Sequence, residues 1–485
     1  MLKNKSLGLN AIFNGLQSML NMLFPLITFP YISRVLSVDG VGKYNFASSI
    51  NSYFLMIAAL GISTFAVREG AKLRDDRKKI SEFASKIFTV NLISTFISYF
   101  LLLLILLIPS LHTYIVAILI FSIQIFFTTL GVDWMYIIFE EYGYITARNI
   151  IFKVISIILL FIFVRNTDDY LNYVTITVFA TAGSNILNFF HAKKFCDIKI
   201  NFKIDWSKYL PPILIIFASN AAIQIYTSSD ITILGFLKND YVVGIYSAST
   251  RIYNVINSTL ISVTAVVIPR LAMLMGKKRM REYYRLLKQV INIIFILYIP
   301  AILGIFMVSG DIVKLLSGNN YLRSVSSLRI LCFALLFSAL AGTVNQCVLL
   351  PAKRENKSLI STIISAGVNI GLNFILIPIF SENGSALTTV IAEFTTLSLM
   401  IYYGRDILLG IFNDMRTVKN IEQIFLASIF VIVLCWCCQL FITNLILRLF
   451  MSVVSSGLAY VTILYTLKNE IVCDFVDQIK FNIKK

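Results

Sequence analysis

The chain has 485 residues, of which 58% are hydrophobic and 14% charged, and its formal net charge is +17. Soluble domains carry about a quarter charged residues, so this composition excludes an ordinary soluble domain. A nucleic-acid partner is not expected, because the basic residues lie between apolar runs, where the positive-inside rule places them in membrane proteins.

Apolar runs close to the length that crosses a bilayer core of roughly 30 Å recur along the whole sequence. They are continuous rather than alternating, which favours helices over a barrel. We predict fourteen spans, and because the last two are almost contiguous, twelve or thirteen are also compatible with the pattern. The predicted spans are 8–32, 44–67, 84–109, 113–138, 145–165, 170–191, 208–237, 241–268, 285–309, 325–350, 356–380, 383–404, 423–445 and 446–467.

The ends and the basic segments predict how the chain is oriented. Lys3 and Lys5 precede a run that continues to Ile32 without a small-residue cleavage site, so we interpret it as the first span. Most of the 42 Lys and Arg residues fall in segments on the side of the N-terminus, which places both termini in the cytoplasm. The basic, amphipathic segment 270–288 is predicted to touch anionic headgroups, with a protein-partner site as the alternative.

Cysteine and histidine usage gives no sign of a chemical site. The seven cysteines fall in spans or in predicted cytoplasmic loops, so no disulfide framework is indicated. Cys435 and Cys438 have CxxC spacing, but within an apolar run this indicates packing. His112 and His191 are the only histidines, and no metal, cofactor or catalytic residue is predicted.

A short motif recurs along the chain. Val-Gly-x-Tyr stands at 41–44 and at 243–246, an offset of 202 residues (42 to 244). Parallel repeats are a known transporter plan, so the sequence predicts an all-α polytopic membrane protein with two six-helix lobes in the same orientation and about two extra C-terminal spans. The predicted regions are an N-terminal lobe at 1–200, a C-terminal lobe at 201–410, and accessory spans with a cytoplasmic tail at 411–485.

The first two spans of each lobe carry polar stripes at helical spacing. The stripes are Asn10, Asn14, Gln17 and Asn21 in span 1, Asn45, Ser49 and Ser52 in span 2, Asn220, Gln224 and Thr227 in span 7, and Ser247, Arg251, Asn254, Ser258 and Ser262 in span 8. Polar groups facing lipid are costly, so these faces should meet protein or a water-filled cleft. For spans 1 and 7 both interpretations stay open; for span 8 the cleft is favoured, because Arg251 lies well inside the helix.

Further ionisable residues are embedded in spans, where such groups are functional candidates. Lys153 lies in a stripe with Asn149 and Ser156, and together with Arg251 it could grip a diphosphate, since cations in a cleft suit an anionic substrate.

The embedded carboxylates are interpreted separately. Glu393 is a candidate proton or sodium site or a partner for a cation, and Asp230 is either an ion-coupling group or a structural partner of Lys238. Asp133 is interpreted as structural.

Four segments carry a family resemblance, at 29–47 (FPYISRVLSVDGVGKYNFA), 131–153 (GVDWMYIIFEEYGYITARNIIFK), 228–252 (SSDITILGFLKNDYVVGIYSASTRI) and 383–394 (NGSALTTVIAEF). In this order they resemble the polysaccharide-transporter branch of the multidrug/oligosaccharidyl-lipid/polysaccharide flippase superfamily, and most of all its O-antigen flippases. The resemblance implies a central cavity, alternating access, and export of undecaprenyl-diphosphate-linked repeat units across a bacterial plasma membrane.

The resemblance also implies roles for particular residues. Cavity cations meet the diphosphate or acidic sugars, a role that falls on Arg251 and Lys153 and also on Arg34 and Arg148. The substrate-binding set is completed by stripe residues: Asn254, Asn14, Gln17 and Asn21. The implied partners are the lipid-linked oligosaccharide, membrane lipids and other polysaccharide-assembly membrane proteins.

Three alternatives remain open on the sequence. A membrane polysaccharide polymerase or ligase would need a sizeable external loop, whereas the predicted external segments are short. A drug exporter of the same superfamily would favour acidic cavities for cationic drugs. A peptidoglycan-precursor flippase is separable only by substrate tests. No nucleotide-binding loop is visible, so direct ATP use is not expected.

Overall fold

The computed structural model describes residues 7–265, 267–412 and 415–473. Each predicted span coincides with a helical segment, and some spans contain two. The helices are α1 Leu7–Val35, α2 Val38–Ala59, α3 Ile62–Gly70, α4 Arg77–Ile105, α5 Ile115–Gly131, α6 Asp133–Ile138, α7 Tyr142–Phe163, α8 Tyr170–Ala192, α9 Trp206–Leu237, α10 Asp240–Ala265, α11 Ile268–Gly276, α12 Met280–Leu316, α13 Ser324–Val344, α14 Glu355–Phe380, α15 Glu382–Phe412, α16 Met415–Phe441 and α17 Leu445–Thr466.

The all-α polytopic class is confirmed. Twelve helical segments of the described chain are long and apolar enough to cross a membrane, and α1 and α10 coincide with the two remaining predicted spans. Large apolar side chains are widely exposed, including Phe441 at 82% and Phe96 at 70%. Monomeric soluble proteins rarely expose contiguous apolar patches of this kind, so these faces are made for lipid.

Two spans are interrupted and a third changes helix type, which hydropathy did not predict. Span 2 breaks between α2 and α3, where Leu60 and Gly61 have φ of 46° and 69°. Span 4 breaks at Val132, whose φ of 39° is rare for a β-branched residue. Span 10 ends in a π-helical turn, Asn345–Leu349. A hydropathy window averages over such breaks, because they change backbone direction and not polarity.

The chain packs as two units, Met1–Gly244 and Ile245–Lys485. In the first unit, α5 packs on α8, α1 on α7, and α9 on α2. In the second unit, α13 packs on both α12 and α15, and α14 packs on α15. The lobe boundaries at 200 and 410 were set by sequence repetition, and they stay predictions.

The repeated motif has the same local structure in both copies. Ser37 Oγ accepts a hydrogen bond from the Gly40 amide, and Asn239 Oδ1 accepts one from the Val242 amide, so matching residues cap α2 and α10. Gly42 lies against the backbone carbonyl of Asp240, the first residue of α10. Gly244 lies against the backbone carbonyl of Val38, the first residue of α2. The order of elements repeats as well, since α10 is followed by the short α11 as α2 is by α3.

The accessory helices α16 and α17 pack on α12 in the second unit. Arg448 of α17 bonds Asp311 of α12 through two nitrogens, with Nε 2.7 Å from Oδ2. Both side chains are largely buried, at 19% and 10% exposure. The Tyr460 hydroxyl also donates to the Ile296 carbonyl at 2.9 Å, so α17 is tied to α12 at two levels.

The basic segment 270–288 is not one helix. It consists of α11, a turn in which Lys278 has φ of 57°, and the first turns of α12. The charged side chains of Arg270, Arg281 and Arg285 are exposed. Contact of segment 270–288 with anionic lipid headgroups stays a prediction, and it now concerns α11, the turn and the start of α12.

Candidate functional site

Lys153 lies within α7 and its side chain is half-buried. Its ammonium nitrogen is 5.5 Å from the ring centroid of Phe24 on α1, a cation–π distance. One turn away, Ser156 is buried and its hydroxyl donates to the Phe152 carbonyl at 2.7 Å. The predicted stripe on this helix therefore faces α1 at Lys153.

Arg148 lies about one turn earlier on α7 and is buried, with a side-chain exposure of 4%. Its Nη1 is 3.4 Å from Asp133 Oδ1, and its Nη2 donates to Asn149 Oδ1 at 3.0 Å. Asn188 of α8 donates to the same carboxylate oxygen at 2.5 Å. Asp133, Arg148, Asn149 and Asn188 thus form one polar cluster, which agrees with a structural role for Asp133.

The Arg148 cluster leaves two buried atoms without a hydrogen bond, Arg148 Nε and Asn188 Oδ1. Val132, whose backbone is in the left-handed region, precedes Asp133 directly. Asp133 itself is 52% exposed, so the carboxylate is the accessible face of the cluster. A phosphate role for Arg148 stays a prediction, and in this structure its guanidinium is engaged by a carboxylate.

Arg34 lies in the last turn of α1 and is exposed. Its Nη1 donates to the Pro30 carbonyl at 2.6 Å. A cation in the last turn of a helix also interacts favourably with the helix dipole. Gln17 on the same helix is half-buried, and the side chains of Asn14 and Asn21 lie outside the described residues.

The stripe on α9 forms hydrogen bonds with α2. Gln224 Nε2 donates to Ser52 at 3.0 Å and to Ser228 at 2.7 Å, and Thr232 donates to Ser49 at 3.1 Å. For Gln224 the interpretation as a helix–helix contact is therefore the one the structure favours. Asn220 and Thr227, in contrast, are exposed on α9. Asp230 is buried on the same helix.

Span 8 shows the clearest division between two faces. Arg251 is half-buried, and Asn254 and Ser258 are exposed. On another face of α10, Ser249 is fully buried and bonds the Ser327 hydroxyl of α13 at 2.6 Å. The polar stripe is therefore not the side by which α10 packs on α13.

Glu393 is half-buried on α15. It interacts electrostatically with Tyr253 of α10, whose hydroxyl bonds Ser338 of α13. Three helices of the second unit thus meet near this carboxylate. A proton, sodium or charge-pairing role for Glu393 stays a prediction.

A fully buried amide cluster in the second unit was missed by the sequence analysis. Asn373 Nδ2 donates to Asn369 Oδ1 at 3.1 Å, and the Thr388 hydroxyl donates to Asn373 Oδ1 at 2.7 Å. The two asparagines are four residues apart in an apolar span, and this spacing is the sequence signal that predicts such a cluster. Within the described residues, no group of three or more His, Cys, Asp or Glu side chains could hold a metal ion.

Comparison with known proteins agrees with the family resemblance seen in the sequence. The family model described as "Polysaccharide biosynthesis protein" matches residues 7–275, and the MatE model matches 216–375. A putative O-antigen transporter of Escherichia coli (strain K12) is 24% identical over 83% of this chain and 97% of its own length. The capsular polysaccharide biosynthesis protein CapF of Staphylococcus aureus is 25% identical over 80% of this chain and 97% of its own length.

Solved structures share the fold. The lipid II flippase MurJ in an inward closed conformation superposes with a TM-score of 0.74 at 17% identity, covering 96% of this chain and 99% of MurJ. An inward-facing multidrug resistance MATE transporter superposes with a TM-score of 0.64 at 15% identity, over 84% of this chain and 99% of that one. By their names, MurJ is a flippase, and the MATE protein and the Escherichia coli relative are transporters. The chain therefore belongs to the polysaccharide biosynthesis protein family, within the multidrug/oligosaccharidyl-lipid/polysaccharide flippase superfamily.

Proposed function

We propose that the protein flips an undecaprenyl-diphosphate-linked oligosaccharide, the repeat unit of an O-antigen, from the inner to the outer leaflet of the bacterial plasma membrane by alternating access. The family and the names of the relatives support a lipid-linked polysaccharide flippase. The diphosphate linkage, the O-antigen identity and the cytoplasmic placement of both termini are our extension of that class.

The observation that carries the proposal is a pair of cations embedded in membrane helices. Lys153 lies inside α7 and Arg251 inside α10, each half-buried. An ionised side chain within a bilayer is costly, so it needs a counter-charge or a function. A diphosphate offers oxygens that guanidinium and ammonium groups bind well.

The remaining candidates have graded roles in this proposal. Asn254 and Gln17 would offer amide hydrogen bonds to sugar hydroxyls, and Asn14 and Asn21 would extend that set along α1. Arg34 and Arg148 would be secondary phosphate contacts. Glu393 and Asp230 would couple transport to a cation gradient or balance the embedded cations.

The test compares a strain that lacks the gene with the same strain carrying a plasmid copy, and the following outcome is expected in the strain without the plasmid. The proposal predicts loss of surface polymer and accumulation of undecaprenyl-diphosphate repeat units on the cytoplasmic side. A polymerase defect would instead leave finished units on the outer side, so the leaflet separates the two activities. Normal surface polymer without accumulated units would overturn the proposal, and drug-efflux assays would then follow.

Partners follow from this pathway. The substrate must come from a reaction that builds sugars on undecaprenyl phosphate and must pass to one that polymerises or transfers the flipped unit. Contact with other membrane proteins of polysaccharide assembly is therefore part of the proposal. Cross-linking in intact cells, followed by mass spectrometry, tests it.

A further inference from the structure

A carboxylate oxygen and an amide nitrogen remain unused in the Arg148 cluster. Asp133 is 52% exposed, and the bonds that it accepts from Arg148 and Asn188 all go to Oδ1. Its Oδ2 accepts no hydrogen bond from any described residue. Asn149 is half-buried and accepts from Arg148 and Ser184 through Oδ1, while its Nδ2 donates to no described residue.

One buried guanidinium holds both of these groups. Arg148 Nη2 lies 3.5 Å from Asp133 Oδ1 and 3.0 Å from Asn149 Oδ1, so the carboxylate and the amide are anchored to the same nitrogen. Asn188 adds a further bond to Asp133, although its own buried Oδ1 has no hydrogen bond. A buried acceptor without a bond costs stability. The cluster therefore fixes the direction of the carboxylate at some cost to the fold.

Tyr144 adds a hydroxyl near this pair. Its ring is half-buried, stacks on His191 with centroids 4.1 Å apart, and interacts electrostatically with Asp133 and Arg148. Within the described part of the chain, its hydroxyl makes no hydrogen bond. Asp133 lies in the apolar segment Pro109–Ile138, where an exposed carboxylate facing lipid would be costly. These unused groups should therefore meet water or a polar ligand.

Charge decides which polar ligand fits. The accessible charge is the Asp133 carboxylate, which repels phosphates and acidic sugars. The Arg148 guanidinium 3.4 Å away balances that charge, so the pair has no excess with which to attract a cation. A neutral ligand that both donates and accepts hydrogen bonds suits a carboxylate, an amide and a phenol. Adjacent hydroxyls of a neutral sugar do both.

The position of Asn149 relates this site to the proposed diphosphate cation. Asn149 and Lys153 are four residues apart on one face of α7, which separates them by about 6 Å along the helix axis. In an undecaprenyl-diphosphate-linked oligosaccharide, the first sugar is bonded directly to the diphosphate. We propose that Asp133, Asn149 and Tyr144 bind adjacent hydroxyls of this first sugar, and that this sugar is neutral. The inference rests on the proposed function, and it gives Arg148 a different role from a phosphate contact.

The test measures binding of methyl glycosides to the purified full-length protein by saturation-transfer NMR. Phosphatidylcholine nanodiscs replace detergent, because sugar detergents would compete. The neutral probes are the methyl glycosides of glucose, galactose, mannose, rhamnose and N-acetylglucosamine, and the acidic probe is methyl glucuronide. Wild type should bind at least one neutral probe, and it should bind the glucuronide about tenfold or more weakly, because like charges repel.

Asn149→Asp is the sharpest variant, because it keeps the oxygen that accepts from Arg148 and removes the free donor. It should weaken binding of the neutral glycoside about tenfold without lowering the melting temperature. Tyr144→Phe keeps the stacked ring and should weaken binding severalfold. The matched control is Asn201→Asp, since Asn201 Oδ1 accepts from the Lys203 amide at 3.0 Å and aspartate can accept the same bond. Binding by this control should equal that of wild type.

Asp133→Asn tests the charge of the site. It should narrow the preference for neutral over acidic glycosides, a change that a purely structural role for Asp133 would not produce. Wild-type binding by Asn149→Asp, an unchanged preference in Asp133→Asn, or a wild type that binds none of the neutral probes would overturn the proposal.

Inorganic pyrophosphate separates a sugar site from a phosphate site. Displacement of the neutral glycoside by pyrophosphate would overturn the proposal, because Arg148 would then serve the diphosphate. Translocation of the lipid-linked oligosaccharide is measured separately in liposomes. Failure of the glycoside tests with intact translocation would therefore remove this sugar site and leave the flippase proposal standing.

Discussion

The hydroxyl of Tyr44 lies 3.2 Å from the hydroxyl of Thr177, and Tyr246, at the matching position of the sequence repeat, lies 3.2 Å from Thr389. The first pair joins α2 to α8, and the second joins α10 to α15. Each tyrosine thus ties the second span of a lobe to its sixth. A chance match of three residues would not bring the same cross-helix bond with it, so the motif marks a structural repeat.

The glycines of this repeat should be intolerant of any side chain. A methyl group on Gly42 would collide with the Asp240 carbonyl, and one on Gly244 would collide with the Val38 carbonyl. Because both obstacles are backbone atoms, Gly42→Ala and Gly244→Ala should each lower the melting temperature in detergent and reduce the yield of folded protein. Gly367→Ala is the control, since nothing lies within 4 Å of that position. It should be neutral or stabilising by up to about 1 kcal/mol. Equal melting temperatures for Gly42→Ala and Gly367→Ala would contradict the close approach.

Removing Arg448 alone should destabilise the protein more than replacing both Arg448 and Asp311. Arg448→Met leaves a largely buried carboxylate without its cation and should cost about 3–5 kcal/mol of stability. The double change Arg448→Met with Asp311→Leu should recover most of this, because two apolar residues replace the pair. Denaturant or thermal unfolding in detergent measures both. A double variant no better than the single one would contradict this account.

Transport should require a positive charge at position 153, whereas folding should not require this side chain. Lys153→Ala should reduce transport at least tenfold, whereas Lys153→Arg should retain a large part of it, since either cation can meet a phosphate. The readout is surface polymer in the complemented deletion strain, with protein amount checked by immunoblot. Lys193→Ala removes an exposed lysine of the same unit and should transport normally. Full activity of Lys153→Ala at normal protein amount would remove this residue from the site.

The hydrogen bonds of Asp76 at the start of α4 should make the stability of the protein depend on pH, with a loss at acid pH. Its carboxylate accepts from the Lys79 and Lys78 amides at the start of α4, and these bonds, the one from Lys79 foremost, lower the pKa of Asp76 below its ordinary 3.8. A lowered native pKa means that the cap stabilises fully above the unfolded value and is lost as the pH falls through the native one.

Asp76→Asn keeps a capping oxygen that cannot titrate, so it provides the comparison. The melting-temperature difference between wild type and Asp76→Asn should be constant at neutral pH and should change below about pH 4. Asp76→Ala should be less stable than both near neutrality. A difference that stays constant down to the lowest pH would show that Asp76 is not the titrating cap.

The positions of the helices could be predicted from the sequence, whereas most side-chain contacts between helices could not. All fourteen spans correspond to helical segments, because a bilayer of fixed thickness leaves a strong signal in hydropathy. The break at Val132 left no such signal, since valine is apolar whether its φ is negative or positive. Helical periodicity placed Lys153 and Gln224 on polar faces. It could not say that Phe24 and Ser52 lie opposite them, because those contacts join different helices.

The central claim is translocation of a lipid-linked oligosaccharide, and reconstitution tests it most directly. Purified protein would be placed in liposomes that contain undecaprenyl-diphosphate oligosaccharide, and an impermeant glycosidase would report how much substrate reaches the outer leaflet. The account predicts that wild type makes the protected half accessible, and that Lys153→Ala and Arg251→Ala slow this at least tenfold. Accessibility no greater than in protein-free liposomes would contradict the account.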